Sequence, residues 1–556
     1  MLRAHSIWPA WLPRVFAPLL LLLGCHIIAD GGAYAPLLFF SALLFAFLAM
    51  FLQRWAAFFA AIGIESLLNS VDAVKQAMTD EPIVARDLVA VSQGAALTSY
   101  LGIAILCWSA LTVIAFAAGL YYRPRFNAWR WLAGMTLPLL LLVRLFAPAG
   151  MQQYVAEFVE NGVGARYLAY NFKENIRQNG VLAHLFLTAE SVDVPKPGAH
   201  DFYTVAPLVP AGTTVQPDIV MILCEACFSS RDDRFVTPLA RLAASGFQQS
   251  SVVSPVYGGG TAEAEFEYLS GMPSTVLPGI DYQNFVDAYR DDARTLVAKL
   301  AHSGYRTIGL HNFHANFWKR NAVYPKFGFQ ETHFIDEMRW QKPGWPDDGL
   351  MYQKAQQIYR QQPRDGRTFM FLVTVRTHGS YIERDADGGR GDYEARLGEA
   401  VSDLQGFVKT IEAQAKKRKR DVMFVLVGDH KPSLSKAFFD AGVFDQSYFR
   451  MLGGERNAGY QFSLKLTPEQ QAHRGEVPLF VRYAAEPQRA LKMGEMLAGR
   501  PMFCVPAAIT QQLPQRGIYF DTLAARCSVP VEQLAASAAQ GWQNEFPRTL
   551  FAERLF

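Results

Sequence analysis

The chain has 556 residues, well above the roughly 100–200 residues typical of one domain. Lysines and arginines total 53 against 50 aspartates and glutamates, so the formal net charge is only +3. This near balance lacks the basic excess of nucleic-acid-binding proteins, and we expect no nucleic acid partner. Hydrophobic residues make up 51% of the chain and charged residues 19%, against about 25% charged in soluble domains. A single small domain is excluded, and a wholly soluble or disordered chain is disfavoured.

Long apolar runs lie almost entirely before residue 150. Most of them approach the ~20 residues needed to cross a bilayer core. The five candidate spans are residues 10–29, 35–52, 56–71, 95–121 and 129–147. The third is the weakest, because it is short and contains Glu65. We therefore expect residues 1–150 to form an all-α membrane domain of five helices.

Basic residues near the span ends predict the orientation of this domain, because Lys and Arg in short loops favour the cytoplasmic side. The arginines at the predicted inner ends are Arg3, Arg14, Arg54, Arg123, Arg125 and Arg130. Five crossings from a cytoplasmic start place everything after about residue 150 outside. We expect a multi-pass protein of the bacterial inner membrane whose C-terminal part is periplasmic.

Residues 151–215 are amphipathic and only moderately polar. Apolar residues recur at four-residue spacing within 154–158 and within 172–176, which is typical of helices. A Pro-Lys-Pro-Gly segment at 195–198 indicates a linker. We predict juxtamembrane helices and a linker here, followed by an extracytoplasmic catalytic domain at 216–556.

Short apolar strands alternate with helical stretches after residue 217, which favours an α/β domain with a mostly parallel central sheet. The predicted strands are residues 219–223, 305–310, 368–375 and 422–427, with 477–482 as an edge or late strand. The predicted helices include residues 285–302 and 393–417. Ligands of such sheets bind beyond the carboxyl ends of the strands.

Residues with metal-binding and catalytic chemistry follow these strands. Glu225 follows the first strand, Asp429 and His430 follow a later one, and His378 follows the strand ending at residue 375. Thr261 ends a glycine run where helical periodicity begins, which predicts a helix N-cap near free backbone N–H groups. Each of these residues alone is common in an ordinary turn or cap; their joint placement predicts a metal-assisted site.

Five segments together resemble the alkaline phosphatase and sulfatase superfamily, and within it the phosphoglycerol transferases similar to lipoteichoic acid synthase. They are Cys224-Glu225, Gly260-Thr-Ala-Glu-Ala-Glu-Phe266, Asn316-Phe-Trp-Lys-Arg320 with Lys326-Phe-Gly-Phe329, Thr377-His-Gly-Ser380 and Gly428-Asp-His430. The resemblance implies a fold with a membrane domain followed by a sulfatase-like α/β domain. It also implies a phospholipid donor, phosphatidylglycerol, and a glycan or lipid-linked acceptor such as a polyglycerolphosphate chain.

The resemblance implies one divalent cation held by Glu225, Thr261, Asp429 and His430. Manganese is the first expectation, and magnesium and zinc stay open because oxygen ligands with one imidazole suit all three. Thr261 is also the implied nucleophile, since metal coordination lowers the pKa of a hydroxyl.

The resemblance assigns three further residues to the substrate. His378 protonates the leaving diacylglycerol oxygen or holds a phosphate oxygen. Arg320 binds phosphate, and Trp318 packs on the glycerol carbons of the head group. We expect a monomer.

Two other functions stay open. A phosphoethanolamine transferase acting on lipid A or a glycan would also use a threonine nucleophile and a metal ion. Members of that family carry several disulfides, whereas here only Cys504 with Cys527 forms a plausible bridge. A catalytically inactive membrane scaffold is the second alternative. Sulfate ester hydrolysis is rejected, because the segment Cys227-Phe-Ser-Ser-Arg231 lacks the required proline.

Overall fold

The computed structural model describes only part of the chain. The described residues are 21, 35–79, 82–85, 87, 103–122, 127–147, 151, 154–155, 157–165, 172–189, 216–228, 237–257, 259–274, 289–315, 317–340, 344–379, 381–382, 389–432, 449–452, 459–462, 468–511 and 517–531. The first predicted span, residues 10–29, lies outside them except for Leu21. The chain divides into two compact units, residues 1–76 with 81–192, and residues 193–556 with 77–80.

The described residues of the first unit form helices and short connecting segments. Its helices are α1 (Ala35–Phe51), α2 (Arg54–Thr79), α3 (Ile103–Tyr121), α4 (Ala128–Gly134), α5 (Thr136–Phe146), α6 (Phe172–Asn179) and α7 (Val181–Thr188), with a π-helical turn at Phe158–Gly162. Three described segments are long and apolar enough to cross a membrane, namely Arg54–Ala73, Ile103–Tyr121 and Ala128–Phe146. The helix α1 is apolar but shorter, with 17 residues. A span count of five stays a prediction.

Two features of this unit bear on the predicted crossings. The run predicted to be the weakest span belongs to the 26-residue helix α2. The guanidinium of Arg130, at the start of α4, donates to the carbonyl oxygen of Leu52 at 3.0 Å. The end of α1 therefore lies beside the start of α4.

The second unit contains an eight-stranded sheet and a separate two-stranded ribbon. The strands are β1 (Asp218–Cys224), β2 (Gln248–Val253), β3 (Tyr305–His311), β4 (Glu331–Phe334), β5 (Arg367–Val373), β6 (Val422–Gly428), β7 (Phe449–Leu452), β8 (Gly459–Phe462), β9 (Glu476–Tyr483) and β10 (Arg500–Pro501). The order in the large sheet is β10-β2-β9-β6-β1-β5-β3-β4, and β7 pairs with β8. The central strands β6, β1, β5 and β3 are mutually parallel, which confirms the mostly parallel sheet.

The strand β9 corrects one sequence prediction. The sequence predicts an edge or late strand at residues 477–482; β9 is late in the chain, but it lies inside the sheet, antiparallel to both β2 and β6. The strand β2 that covers it has the sequence Gln-Gln-Ser-Ser-Val-Val, which is too polar to be recognised by apolar periodicity.

Helices cover both faces of the large sheet. They are α8 (Thr237–Ala244), α9 (Thr261–Ser270), α10 (Leu296–His302), α11 (Arg320–Phe327), α12 (Asp348–Arg360), α13 (Arg390–Lys417), α14 (Pro468–Gly475), α15 (Pro487–Leu497), α16 (Cys504–Thr510) and α17 (Gly517–Arg526). Ile219, Met221 and Leu223 of β1 enter one hydrophobic core, and Val220 and Ile222 enter the other. Burial on both faces explains the continuous apolar runs of the central strands.

Candidate metal centre

The carboxyl ends of β1 and β6 bring the acidic candidates together. The two strands are parallel neighbours, with Cys224 opposite Gly428 in register. Glu225 and Asp429 are the next residues of the two strands, so they leave the sheet side by side. The sequence prediction of one common edge is thereby realised by the pairing of β1 with β6.

Glu225, Asp429 and His430 form a compact, buried cluster. One ligand atom from each lies within 4.8 Å of the others. His430 Nε2 is 3.2 Å from Asp429 Oδ2 and 3.7 Å from Glu225 Oε1. Two carboxylates and one imidazole are a donor set that manganese, magnesium and zinc accept, so the described residues fit one divalent cation.

Thr261 lies against this cluster. Its Oγ1 donates to Asp429 Oδ2 at 2.9 Å and is 3.4 Å from His430 Nε2. The predicted N-cap role is wrong: Gly260 is the N-cap of α9 and Thr261 is the first helical residue. Gly260 has a φ of 84°, a left-handed conformation that favours glycine, and this turn directs the hydroxyl toward the cluster instead of the helix backbone.

Backbone and side-chain donors hold the three ligand candidates in orientation. Asp429 Oδ1 accepts from the amides of Ala226 and His430, both at 2.7 Å, which leaves Oδ2 for Thr261. The Glu225 amide donates to Thr374 Oγ1 at 2.9 Å. His430 Nδ1 is 2.9 Å from the carbonyl oxygen of Lys431, and a carbonyl only accepts, so Nδ1 carries the proton and Nε2 faces the cluster as a free ligand atom.

Electrostatics favour a cation at this place. Burial, and then the neighbouring Asp429, raise the pKa of Glu225 well above its ordinary value, while Arg320 opposes the shift. Two adjacent buried carboxylates are costly as anions unless positive charge balances them. A divalent cation would supply that charge and restore both carboxylates as ligands.

Arg320 lies in the interior next to this cluster. Its Nε donates to both carboxylate oxygens of Glu265 at 3.1 Å, and both side chains are buried. Tyr324 donates to the same carboxylate at 3.1 Å. Among the described residues, Arg320 Nη1 has no hydrogen-bond partner. A buried donor without a partner costs about 1–3 kcal/mol, which a phosphate oxygen would recover.

Trp318 precedes Arg320 in a left-handed turn. Trp318 has a φ of 57° and Lys319 a φ of 50°, which are uncommon for residues with a side chain. Such conformations persist where the surrounding structure enforces them, often at functional sites. The indole is half-buried against the core that contains α9. Asn316 lies outside the described residues.

His378 lies at the same edge of the sheet, in the segment that follows β5. Burial is the main cause that lowers the pKa of His378 to about 4. Its Nδ1 is 2.6 Å from the carbonyl oxygen of Gly379, and Trp345 packs on the ring with centroids 4.0 Å apart. The resting imidazole is therefore neutral, with its proton on Nδ1 and an accepting Nε2.

The structure adds two residues that the sequence did not assign to the site. Glu265 orients Arg320; the available signal was its position one helical turn after Thr261. His311, the last residue of β3, donates from Nδ1 to the carbonyl of Val373 at 2.9 Å. Burial, and then the Arg320 charge, lower the pKa of His311 well below its ordinary value. The signal for His311 was its position at a strand end.

The second unit contains two disulfides, of which the sequence predicted one. Cys504 and Cys527 form the disulfide that the sequence made plausible. Cys224 and Cys227, which the sequence left unpaired, form a second disulfide that brackets Glu225. The pair was missed because the C-x-x-C spacing alone does not reveal whether the two residues between the cysteines form a turn that brings the sulfur atoms together.

Residues 217–499, half of the chain, match the family model described as Sulfatase. The chain therefore belongs to the sulfatase family, which confirms the predicted membership of the alkaline phosphatase and sulfatase superfamily.

Two curated relatives come from Rhizobium meliloti. The putative cyclic beta-1,2-glucan modification protein is 30% identical over 295 residues, covering 48% of this chain and 45% of that protein. The capsular polysaccharide biosynthesis protein RkpI is 24% identical over 204 residues, covering 36% and 37%. The matches with these curated relatives thus span less than half of their lengths.

Two solved structures show more distant likeness. The lipooligosaccharide phosphoethanolamine transferase EptA of Neisseria meningitidis is 12% identical with a TM-score of 0.47, covering 90% of this chain and 92% of that one. The phosphoglycerol transferase GacH of Streptococcus pyogenes is 14% identical with a TM-score of 0.42, covering 61% and 89%.

Proposed function

We propose that the protein is a metal-dependent phosphotransferase that moves the phosphoglycerol head group of phosphatidylglycerol through a covalent Thr261 intermediate to a glycan or polyglycerolphosphate acceptor. One observation carries the proposal. The Thr261 hydroxyl lies 2.9 Å from Asp429 Oδ2 and 3.4 Å from His430 Nε2, at a buried cluster of metal-ligand type. Thr261 does not cap its helix, so capping does not explain its position.

Glu225, Asp429, His430 and Thr261 would hold the cation. When bound, the cation would lower the pKa of the Thr261 hydroxyl and draw charge from a phosphate oxygen. Manganese is our first choice of metal.

The reaction is a double displacement at phosphorus. The Thr261 oxygen, having lost its proton, attacks the phosphorus; the bond from phosphorus to the diacylglycerol oxygen breaks, and that oxygen takes up a proton. The acceptor hydroxyl then loses its proton and attacks the same phosphorus, and Thr261 leaves and regains a proton. Phosphoglycerol is thereby transferred with no net change in proton count.

His378 would serve as the proton donor of the first displacement and as the proton acceptor of the second. Its resting form is neutral, because burial lowers its pKa to about 4. An anionic phosphate beside the ring favours the charged imidazole, so binding of the donor would load the proton that diacylglycerol takes away. Arg320 Nη1 would bind a phosphate oxygen, and Trp318 would pack on the glycerol carbons.

Two features support an extracytoplasmic catalytic domain tethered to the bacterial inner membrane. Three described helical segments have the length and composition of membrane spans. The catalytic unit also carries two disulfides, Cys224–Cys227 and Cys504–Cys527, which persist in oxidising compartments such as the periplasm.

The choice of head group and acceptor rests on narrower support. The Glu-Phe-Glu segment after Thr261 favours phosphoglycerol, whereas a second disulfide weakens the argument from few cysteines against phosphoethanolamine. The names of the two relatives refer to modification of a glucan and synthesis of a capsular polysaccharide, and these favour a glycan as the acceptor.

The test uses the full chain, purified in detergent with manganese and incubated with phosphatidylglycerol or, separately, phosphatidylethanolamine. Intact mass spectrometry should show a phosphoglycerol adduct only with the first lipid. The adduct should be absent from Thr261→Ala and present in the control Thr410→Ala, whose hydroxyl only donates within its own helix α13. A phosphoethanolamine adduct would establish the alternative head group. No adduct with either lipid, despite bound metal, would favour the inactive scaffold.

A further inference from the structure

The Cys224–Cys227 disulfide has no part in the chemistry described above, yet it closes around a metal ligand. Cys224 is the last residue of β1, and Glu225 and Ala226 are the two residues between the linked cysteines. The four residues form a turn at the centre of the sheet edge. Both cysteines are buried, in the core on one face of the sheet.

The backbone of this turn makes contacts that the metal cluster depends on. The Ala226 amide donates to Asp429 Oδ1 at 2.7 Å, and the carbonyl of Cys224 accepts from the Asp429 amide at 3.0 Å. A rotation of the turn would therefore move Glu225 and break two hydrogen bonds of Asp429 at the same time. The turn is coupled to two of the three clustered ligand candidates.

Ala226 adopts a conformation that needs an external constraint. Its φ is 47°, in the left-handed region that favours glycine. Tyr393 of α13 donates to the Ala226 carbonyl at 2.9 Å and holds the peptide from one side. The Cys224–Cys227 disulfide is the second constraint on the backbone of Glu225 and Ala226.

A link across three positions closes a very short loop. Cross-links stabilise a fold mainly by restricting the unfolded chain, and the effect grows with loop length. The Cys504–Cys527 link, across 23 positions, closes a much longer loop far from the metal cluster in sequence. The two disulfides are therefore expected to act differently, the short one on local geometry and the long one on stability.

We propose that the Cys224–Cys227 disulfide is a positioning element of the metal centre, which fixes the Glu225–Ala226 turn in its metal-binding conformation. The proposal rests on the proposed metal site. Groups that orient metal ligands typically contribute 10–100-fold to affinity. Loss of the disulfide is expected to weaken divalent metal binding by about tenfold or more.

The experiment compares manganese binding to the full chain in detergent by isothermal titration calorimetry. The variants are Cys224→Ala/Cys227→Ala and the matched control Cys504→Ala/Cys527→Ala. Both cysteines of a pair are replaced, because a remaining Cys224 thiol would be a new ligand beside the metal. The thermal midpoint of each metal-free protein is measured in parallel.

The expected result is a crossed pattern. The first variant should lose at least tenfold in manganese affinity with a small change in thermal midpoint, and the second should lose thermal stability while binding manganese like the wild type. Equal manganese affinity of the first variant and the wild type would overturn the inference. A wild type that binds no manganese, magnesium or zinc would instead overturn the metal site itself.

Mass spectrometry tests whether the Cys224–Cys227 disulfide is present in the purified protein. Denatured wild-type protein is alkylated without reductant, digested and analysed by mass spectrometry. Cys224 and Cys227 should be recovered as one linked peptide without alkyl groups. Alkylation of both residues in the wild type would contradict the proposal before any binding is measured.

Discussion

Arg320 Nε lies 3.1 Å from each carboxylate oxygen of Glu265, and both side chains are buried beside the candidate metal centre. Glu265 is four residues after Thr261 on the same helix, so α9 carries both the proposed nucleophile and the group that orients the proposed phosphate ligand. The signature Gly-Thr-x-x-x-Glu-Phe thereby gains a physical reason. Its threonine and its glutamate lie one helical turn apart and point into the same site.

Glu265→Gln is expected to destabilise the fold, because it leaves the Arg320 charge buried without a counter-charge. Removing one partner of a buried pair costs roughly 3–5 kcal/mol. Arg320→Gln should have a similar effect, and the double variant should lose less than the sum of the two. Thermal midpoints of the purified chain check the double-mutant cycle; strictly additive losses would show that the two side chains do not interact.

Glu267→Gln should change how stability depends on pH. Burial is the main cause that raises the pKa of Glu267 to about 8, and the side chain accepts from the Ser274 amide at 2.8 Å. Between the ordinary value of 4.5 and about 8, the folded state binds a proton that the unfolded state has lost. The stability that this bound proton contributes is therefore present at low pH and is lost as the pH rises from 4.5 to about 8.

The measurement is the thermal midpoint of wild type and Glu267→Gln at pH values from 5 to 9, a range set by that window. Glutamine imitates the protonated carboxyl, so the variant should match the wild type at the acid end and exceed it at the alkaline end. At the alkaline end, the free energies of unfolding of the variant and the wild type should differ by roughly 3–5 kcal/mol. Parallel curves for the two proteins would mean that Glu267 is ionised in the folded state.

His378→Asn should slow formation of the Thr261 adduct without weakening metal binding. Proton transfer by a positioned side chain contributes about 10²–10⁴-fold, and asparagine cannot carry the proton. Quenched-flow mass spectrometry measures adduct formation, and calorimetry measures manganese affinity. If manganese affinity falls as strongly as the rate, His378 acts as a metal ligand and the proton-transfer role is wrong.

Gly428→Ala should disrupt the metal centre through the backbone. A methyl group at this position would lie 2.0 Å from the Cys227 carbonyl oxygen and 3.1 Å from Pro478 Cδ. Since Gly428 is followed by Asp429, the displaced backbone should carry that ligand away, with a loss of about 1–3 kcal/mol in stability and reduced manganese affinity.

The matched control is Gly398→Ala on α13, where a methyl group meets no atom within 4 Å. Alanine is the better helix former by about 1 kcal/mol, so this variant should be as stable as the wild type or more so. Manganese binding by Gly428→Ala at wild-type affinity would show that the sheet edge tolerates the shift and that register does not set the ligand geometry.

Much of the second unit could be predicted because its central strands are buried on both faces. The apolar runs at 219–223 and 422–427 predicted β1 and β6 within one or two residues. Parallel strands end at one edge, so Glu225, Asp429 and His430 could be predicted as neighbours before any distance was known. The polar strand β2 could not be predicted this way, so the sequence did not show that its neighbour β9 lies inside the sheet.

The sequence by itself determined the apolar helices, the parallel core and the order of the residues that carry the chemistry, because periodicity and strand ends are local properties. Only the tertiary structure decided that Arg320 forms an ion pair with Glu265. It also decided that Gly260 and not Thr261 caps α9, and that a disulfide joins Cys224 and Cys227. These facts depend on which segments meet across the sheet and on single backbone angles. Neither is encoded in the spacing of residues along the chain, since both arise from the packing of segments that the folded chain brings together.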